Sequence, residues 1–274
     1  MFDIIVRPCL DKEYKTIAEV FLLSFIGEPL DKKQLEETSQ TFKRIMENEL
    51  TTFFVAEKQG EIIGLGGVTH YLGSSYIGYL GVLPDQRRQG YGTILFFKLL
   101  NRAANQNSTV ELFANLDAES LYRKFGFRGQ YQAHLFELPK TTRKEESNIE
   151  LMDKKIPEWV YDLDQKAMGI DRSKLLKFLV QSPDNKLISL EQKGYAIFGR
   201  RIGPLIAKDD ETAVKLIHYS LLSGTKEIII PETFEPELKV FSPKKIHTCI
   251  KMIYGQPINN NPPWVKSFSA FGKS

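Results

Sequence analysis

The chain has 274 residues, enough for two modest domains, and 42% of them are hydrophobic, enough to build a core in each. Its 37 basic and 34 acidic residues nearly cancel, which excludes the strong positive field of a nucleic-acid binder and points to no strongly charged partner. Cys9 and Cys249 make no metal or disulfide pattern, no apolar run approaches a membrane span, and no N-terminal stretch has the basic–apolar–small order of a signal peptide. The expected setting is therefore a reducing cytoplasm, with no metal, membrane or nucleic-acid partner.

Asp3–Pro8 alternates apolar and polar residues and reads as an opening strand. Leu10–Phe25 follows with helical periodicity, Ile17, Val20, Phe21 and Ser24 sharing a face, and Gly27-Glu28-Pro29 breaks it. Asp31–Leu50 reads as a second helix, with Asp31 as N-cap and Leu35, Phe42, Ile45 and Met46 inward. Phe53–Glu57 and Glu61–His70 form a predicted hairpin turning at Gln59-Gly60, and Ser75–Leu83 is the next strand.

From that strand the chain runs through Val82-Leu83-Pro84-Asp85-Gln86-Arg87-Arg88-Gln89-Gly90-Tyr91-Gly92-Thr93 into a predicted helix over about Gly90–Gln106. The first turn of a helix has unpaired N–H groups and a partial positive charge, and both favour an anion. Glycines at 90 and 92 let a phosphate approach the backbone, while Arg87 and Arg88 add charge and donors. No Lys-Ser or Lys-Thr follows, so this is no P-loop, and the G-x-G-x-x-G fingerprint is incomplete. A strand at Val110–Phe113, a short helix at Glu119–Phe125 and a strand at Tyr131–Leu138 complete the first half. Phe96 and Phe97 read as helix packing.

The pattern V-x-P-x-x-R-R-x-G-x-G resembles the acetyl-CoA signature of the GNAT N-acetyltransferases. Asn115-Leu116-Asp117-Ala118-Glu119-Ser120-Leu121-Tyr122-Arg123-Lys124-Phe125-Gly126-Phe127 resembles that family's N-x-x-A-x-x-L-Y-x-x-x-G-F, in the right order and at the right distance. The resemblance covers roughly residues 1–138 and implies acyl transfer from acetyl-CoA, as cosubstrate, to an amine. It implies that backbone N–H groups from about Arg88 through Gln89, Gly90, Tyr91 and Gly92 to Thr93 hold the pyrophosphate, with Arg87 and Arg88 reaching phosphate oxygens. The backbone N–H of Leu80, two residues before Val82, would polarise the thioester carbonyl on a strand that departs from a regular ladder there; Gly78 and Gly81 suit such a departure. Tyr122 would protonate the leaving thiolate, since a phenol of pKa about 10 stays protonated at neutral pH. Asn115 would steady cofactor or substrate. Leu80, Val82, Asn115 and Tyr122 thus join the loop as cofactor-binding residues, with Tyr122 and Leu80 catalytic. No general base is assigned; Glu28, Glu57 and His70 are candidates by position only.

Pro139-Lys140-Thr141-Thr142-Arg143-Lys144-Glu145-Glu146-Ser147-Asn148 is polar and lacks apolar periodicity, which makes 139–148 the expected linker. The second half then repeats the order of the first. A strand at Ile149–Met152 precedes helices at Pro157–Met168 and Arg172–Gln181, and strands follow at Leu187–Leu190, Tyr195–Gly199 and Ile202–Ala207. After them come a helix at Asp210–Leu222, a strand at Glu227–Pro231, a helix at Glu235–Phe241 and a strand at Thr248–Tyr254. Gly169-Ile170-Asp171-Arg172, Gly194-Tyr195-Ala196-Ile197, Gly203-Pro204-Leu205-Ile206-Ala207 and Ala213-x-x-Leu216 resemble a divergent GNAT-like domain of the YitH type. Here Lys208-Asp209-Asp210 replaces R-x-x-G-x-G, and acidic residues oppose a pyrophosphate, so standard CoA binding is not expected of this half. Beyond it, Asn259-Asn260-Asn261-Pro262-Pro263 reads as a turn-rich exit before Trp264-Val265, which would dock back or pair with a partner.

The expected architecture is α/β (α+β): two tandem GNAT-like domains, residues 1–138 and 149–274, each a mixed, mostly antiparallel sheet flanked by helices. The expected activity is N-acetylation of a primary amine, small-molecule or peptide, by direct attack, with the second domain shaping the acceptor site or a homodimer contact. Two other readings stay open at this point: a CoA-binding regulatory protein with little turnover, and an active site in the C-terminal domain.

Overall fold

The computed structural model describes residues 4–27, 29–141, 148–152 and 154–272. Glu28, most of the expected linker, and Asp3 lie outside the described residues. The first run of elements is β1 (Ile4–Pro8), α1 (Tyr14–Phe25), α2 (Lys32–Glu47), β2 (Thr52–Lys58), β3 (Glu61–His70), β4 (Ser75–Val82), α3 (Tyr91–Ala104), β5 (Thr109–Asn115), α4 (Glu119–Lys124) and β6 (Arg128–Glu137). The second run is β7 (Ile149–Met152), α5 (Glu158–Met168), α6 (Ser173–Val180), β8 (Lys186–Leu190), β9 (Gly194–Phe198), β10 (Arg201–Ala207), α7 (Asp210–Leu222), β11 (Glu227–Pro231), α8 (Glu235–Leu238) and β12 (Lys244–Gly255), closed by the short β13 (Val265–Ser267). Up to β12 the two runs have the same element order, as their sequence patterns predict.

Compactness groups these elements differently from chain order. One unit comprises residues 1–70 and 74–111; the other comprises 71–73 and 112–274, so the division falls inside β5. In the first unit the strand order is β1-β2-β3-β4-β5, antiparallel except for the parallel β4–β5 pair. Gln59 and Gly60 both have positive φ, which is the primed turn that suits a two-residue hairpin. Asp31 caps α2 by accepting from the Gln34 N–H at 2.8 Å. Gly66 on β3 has no side chain because Leu99 of α3 packs directly over it. On α3, Phe96 is buried while Phe97 is 54% exposed, so only the first of the pair packs inward; the 100° step per residue puts adjacent positions on different faces. At the edge, Arg7 holds Glu13 at 2.7 Å and Glu57 at 2.6 Å, which draws Glu13 down to about 2.

In the second unit, β5 from Leu112 onward is followed by β12, β6, β11, β10, β9, β8 and β7. The sheet is antiparallel except where β10 meets β11. The closing strands of the two runs, β6 and β12, pair with each other from Lys244–Glu137 to Ile253–Arg128. β12 begins at Lys244 rather than at the predicted Thr248, because its polar first residues lack strand periodicity and are recruited by pairing with β6. The predicted helix at 235–241 is instead one α turn, Glu235–Leu238, between two 3-10 turns. The core of this unit gathers Phe136, Ile188, Phe198, Ile202, Leu205, Leu216, Ile228 and Ile230.

One charge is fully enclosed here. Arg172 is 2% exposed and donates from Nε (3.1 Å) and Nη2 (2.6 Å) to Asp164, which also accepts from the Tyr195 hydroxyl. Burial opposes the arginine's charge, but the carboxylate beside it outweighs that and holds it above its ordinary pKa. Removing one partner of such a pair leaves a buried charge uncompensated. Asp164→Ala is expected to cost about 3–5 kcal/mol of unfolding free energy, read from the urea midpoint. A cost below about 1 kcal/mol would mean that water reaches Arg172 freely.

Candidate active site

The first unit builds its candidate site at the end of β4. Pairing with β5 is confined to Ser75–Val110 and Tyr76–Glu111. Pairing with β3 steps from Gly78–Gly67 to Gly81–Leu65, so Tyr79 and Leu80 together stand opposite Gly66. This is a β-bulge, and Tyr79 carries its left-handed backbone at φ +58°. A non-glycine residue there costs on the order of 1–3 kcal/mol and persists only when its surroundings hold it. Aromatic packing does so: the Tyr79 ring lies edge-on to Phe53 at 5.2 Å, Phe42 at 5.5 Å and Phe21 at 6.0 Å. The departure expected near Leu80 is thus present, but Tyr79 rather than a glycine makes it. Gly81 has another task, since a side chain there would meet Ser24 Cβ at 2.8 Å and Phe25 at 3.0 Å.

After Val82 the chain makes a 3-10 turn over Pro84–Gln86 and reaches Gly90, the N-cap of α3, at φ +85°. Thr93 and Ile94 both donate to Gly90 O, at 3.0 and 3.2 Å. Among the described residues, the amides from Arg88 to Gly92 have no recorded acceptor, so this helix start retains donors for an anion. A Cβ on Gly92 would meet only Val82 Cγ2, at an ordinary 3.7 Å. Packing therefore does not require glycine at 92, whereas backbone conformation does at 90. The two arginines separate. Arg88 is exposed with φ +61°, while Arg87 donates from Nε to Val82 O at 2.9 Å and from Nη2 to Ser24 O at 2.5 Å. The Arg87 guanidinium ties the loop to the end of α1. Gln86, absent from the sequence expectation, accepts from Lys58 Nζ at 3.2 Å, and that ammonium lies 5.0 Å from the Tyr91 ring.

Asn115 and Tyr122 belong to the second unit. Tyr122, on α4, is 7% exposed beside Phe127 at 6.2 Å. Burial, then Cys249 and Asp117, raises its phenol well above the ordinary value, so it remains a proton donor through neutral pH. Asn115 Oδ1 accepts from His247 Nε2 at 2.9 Å and Cys249 Sγ at 3.3 Å. Burial holds the Cys249 thiol up at about 12. His247 and Cys249 were not found by sequence reasoning, for they lie more than 120 residues from Asn115 and match no motif. The weighed bases have structural partners: Glu57 is bound to Arg7, and His70 Nδ1 lies 2.9 Å from Ser75 Oγ, its imidazole pKa lowered by burial and then by Arg102.

The second unit repeats the strand–turn–helix architecture with opposite chemistry. β10 pairs with β11 only at Arg201–Glu227 and Ile202–Ile228. Beyond that, β13 pairs with β10 at Leu205–Ser267 and Ile206–Val265, and the Phe268 N–H donates to Ile229 O of β11 at 2.9 Å. The chain's own segment fills the divergence. At the start of α7, Asp209 accepts from the Thr212 N–H at 2.7 Å; burial pushes its carboxyl up, but the bonds to Thr212 together with the charges of Lys193 and Lys266 hold it below its usual range. The cavity of about 620 Å³ beside it contains Lys193 and Lys215, and both are already paired, with Glu191 at 2.7 Å and Glu211 at 2.6 Å. The positive charges around this cavity are thus paired within the chain.

Family comparison decides what this architecture is. Residues 15–127 match the acetyltransferase (GNAT) family and residues 160–263 match an acetyltransferase (GNAT) domain. The chain belongs to the GNAT acetyltransferases, as two domains in tandem. A candidate acetyltransferase from Pyrococcus horikoshii is 26% identical, with a TM-score of 0.92 over 100% of this chain and 97% of that one. A GCN5-related N-acetyltransferase from Sphaerobacter thermophilus, 13% identical, shares the fold at TM-score 0.64 over 95% and 98% of the chains. Eis1 from Mycobacterium abscessus, 17% identical, does so at TM-score 0.53 over 92% and 73%. No curated protein matches the chain. As a GNAT protein the chain has the acyltransferase fold, and among the described residues no helix is long and apolar enough to cross a membrane, nor do three or more His, Cys, Asp or Glu side chains gather as a metal site.

The two loop glycines of this GNAT protein are expected to respond differently. Gly90→Ala places a side chain at φ +85° and is expected to cost about 1 kcal/mol in urea unfolding. Gly92→Ala should cost nothing, because its Cβ has room; equal losses at both positions would remove the distinction between backbone and packing constraint.

Proposed function

We propose that this GNAT protein transfers an acetyl group from acetyl-CoA to a primary amine by direct attack, with the chemistry in the N-terminal domain. The observation that carries the proposal is the end of β4, where a bulge at Tyr79–Leu80 is followed by a helix start whose amides from Arg88 to Gly92 lack acceptors among the described residues. Acetyl-CoA would supply the activated acetyl group. The backbone amides from Arg88 to Gly92 would bind its pyrophosphate, assisted by the exposed Arg88, while Arg87 braces the loop; the Thr93 N–H, also expected to take part, is instead bonded to Gly90 O. The Leu80 N–H would donate to the carbonyl oxygen as negative charge develops, a contact worth about 3 kcal/mol in a dry site. The Tyr122 hydroxyl would give its proton to the departing sulfur, and its raised pKa keeps that proton available.

The alternative of an active site in the C-terminal domain is disfavoured by β13 and by Asp209, which occupy the positions an acyl carrier and its phosphates would need there. The proposal therefore entails one acetyl-CoA per chain. Calorimetric titration is expected to give a stoichiometry of one, and Gly92→Val is expected to weaken binding at least about tenfold without moving the urea midpoint. Two sites per chain would contradict the reading of the second domain, and no binding would remove the proposal. Tyr122→Phe is expected to lower kcat about 10²-fold at unchanged acetyl-CoA affinity; full activity in that variant would deny it the acid's role.

A further inference from the structure

The Ser24 hydroxyl of α1 is turned away from its own helix. Other helical hydroxyls in the chain return to the carbonyl four residues earlier: Thr41 to Glu37 O at 2.9 Å, Ser220 to Leu216 O at 2.8 Å and Ser223 to Tyr219 O at 3.3 Å. Ser24 is only 8% exposed, yet its Oγ has no hydrogen-bond partner among the described residues. Leaving a buried hydroxyl unpaired is costly, so its direction calls for a cause.

Two features fix that direction, both within the first unit. Gly81 of β4 lies in ordinary strand backbone, so its conformation does not demand glycine. A Cβ there would stand 2.8 Å from Ser24 Cβ, 3.1 Å from Ser24 Oγ and 3.0 Å from Phe25 Cε2, so the missing side chain is what admits these two residues. Arg87 Nη2, at 2.5 Å from Ser24 O, holds the backbone of the same serine. The hydroxyl is thereby set against β4 one residue beyond the Leu80 amide of the bulge. Beside it Phe25, whose ring lies 4.9 Å from that of Phe21, is 46% exposed.

From this arrangement we infer that Ser24 Oγ is the hydrogen-bond partner of the acceptor's amine, and that the acceptor carries this amine on an apolar body lying against Phe25. The inference rests on the acetyltransferase reading above and names the class of acceptor for that site. A hydroxyl can accept from one amine N–H and leave the nitrogen lone pair free to attack. Residues 20–27 carry no charged side chain to hold a polycation, whereas the Phe25 ring offers an apolar body a surface to cover. In the transfer, the nitrogen bonds to the acetyl carbon as the carbon–sulfur bond breaks. The hydrogen that nitrogen loses is matched by the one that sulfur gains, exchanged through water, and Ser24 keeps its own proton.

The test titrates phenethylamine, spermidine and glucosamine into the protein saturated with CoA, then follows thiol release from acetyl-CoA with each amine. Phenethylamine is expected to bind at least about tenfold tighter than the other two and to give the highest kcat/KM. Ser24→Ala is expected to weaken phenethylamine binding about tenfold with CoA affinity unchanged. Its urea midpoint is expected to hold or rise, because the variant removes an unpaired buried hydroxyl. Phe25→Ala is expected to remove the preference for phenethylamine over spermidine. CoA binding with no preference among the amines, or with a preference for spermidine or glucosamine, overturns the inference and leaves the acetyltransferase reading intact. A Ser24→Ala variant that binds phenethylamine as tightly as the wild type does the same. Weaker binding that comes with a lowered urea midpoint and lowered CoA affinity would make Ser24 a structural residue and also overturns it. A protein that binds no CoA removes the acetyltransferase reading, and this inference with it.

Discussion

The pairing of β6 with β12 is the constraint on which the C-terminal part of the structure depends. These are the closing strands of the two runs of the chain, and they are separated by more than 100 residues. Each has another neighbour, β11 for β6 and β5 for β12, so their ladder satisfies backbone groups that would otherwise sit on a buried sheet edge. Closing so long a loop carries an entropic cost, offset only when the neighbouring strands are also in place. Formation of this sheet is therefore expected to be cooperative across the two family domains rather than sequential along the chain. It also explains why compactness does not divide the molecule where the polar segment at 139–148 lies.

The same pairing orients a side chain of the family motif. Asn115 terminates β5 within a family motif, yet its side chain is oriented by His247 and Cys249 of β12. A bulge at Ile246 decides which face those two residues take. Each unit thus has a bulge of this kind, at Tyr79–Leu80 in the first and at Ile246 in the second, and each changes the face that the following residues take. At the first, an aromatic cluster from α1, α2 and β2 maintains a left-handed tyrosine; at the second, an exposed isoleucine takes up the extra residue.

The two domains share a fold and differ at the same local feature. A strand leads by a turn into a helix in both. In the first, Gly90 caps the helix without a side-chain acceptor and leaves amides for an external anion. In the second, Asp209 supplies the anion itself, and residues 265–268 fill the divergence of the parallel strands. The fold is thereby repeated without the local arrangement at this helix start. The second domain contributes β12 instead, whose His247 and Cys249 bond the Asn115 side chain.

Local rules made much of this legible in sequence. The Asp31 cap, the Gln59-Gly60 turn, the two-glycine helix start and the repeated order of elements depend on neighbours a few residues apart, and periodicity and turn chemistry encode such relations directly. The motif at Asn115–Phe127 was readable for the same reason, as was the acidic substitution at Lys208-Asp209-Asp210. Tertiary structure alone decided that Arg87 braces the loop, that Tyr79 rather than a glycine makes the bulge, and that Trp264–Phe268 docks into the chain's own sheet. It alone brought His247 and Cys249 to Asn115. Those outcomes rest on strand register and on pairing between distant segments, and a one-residue shift in register, invisible to composition or periodicity, moves a side chain to the opposite face.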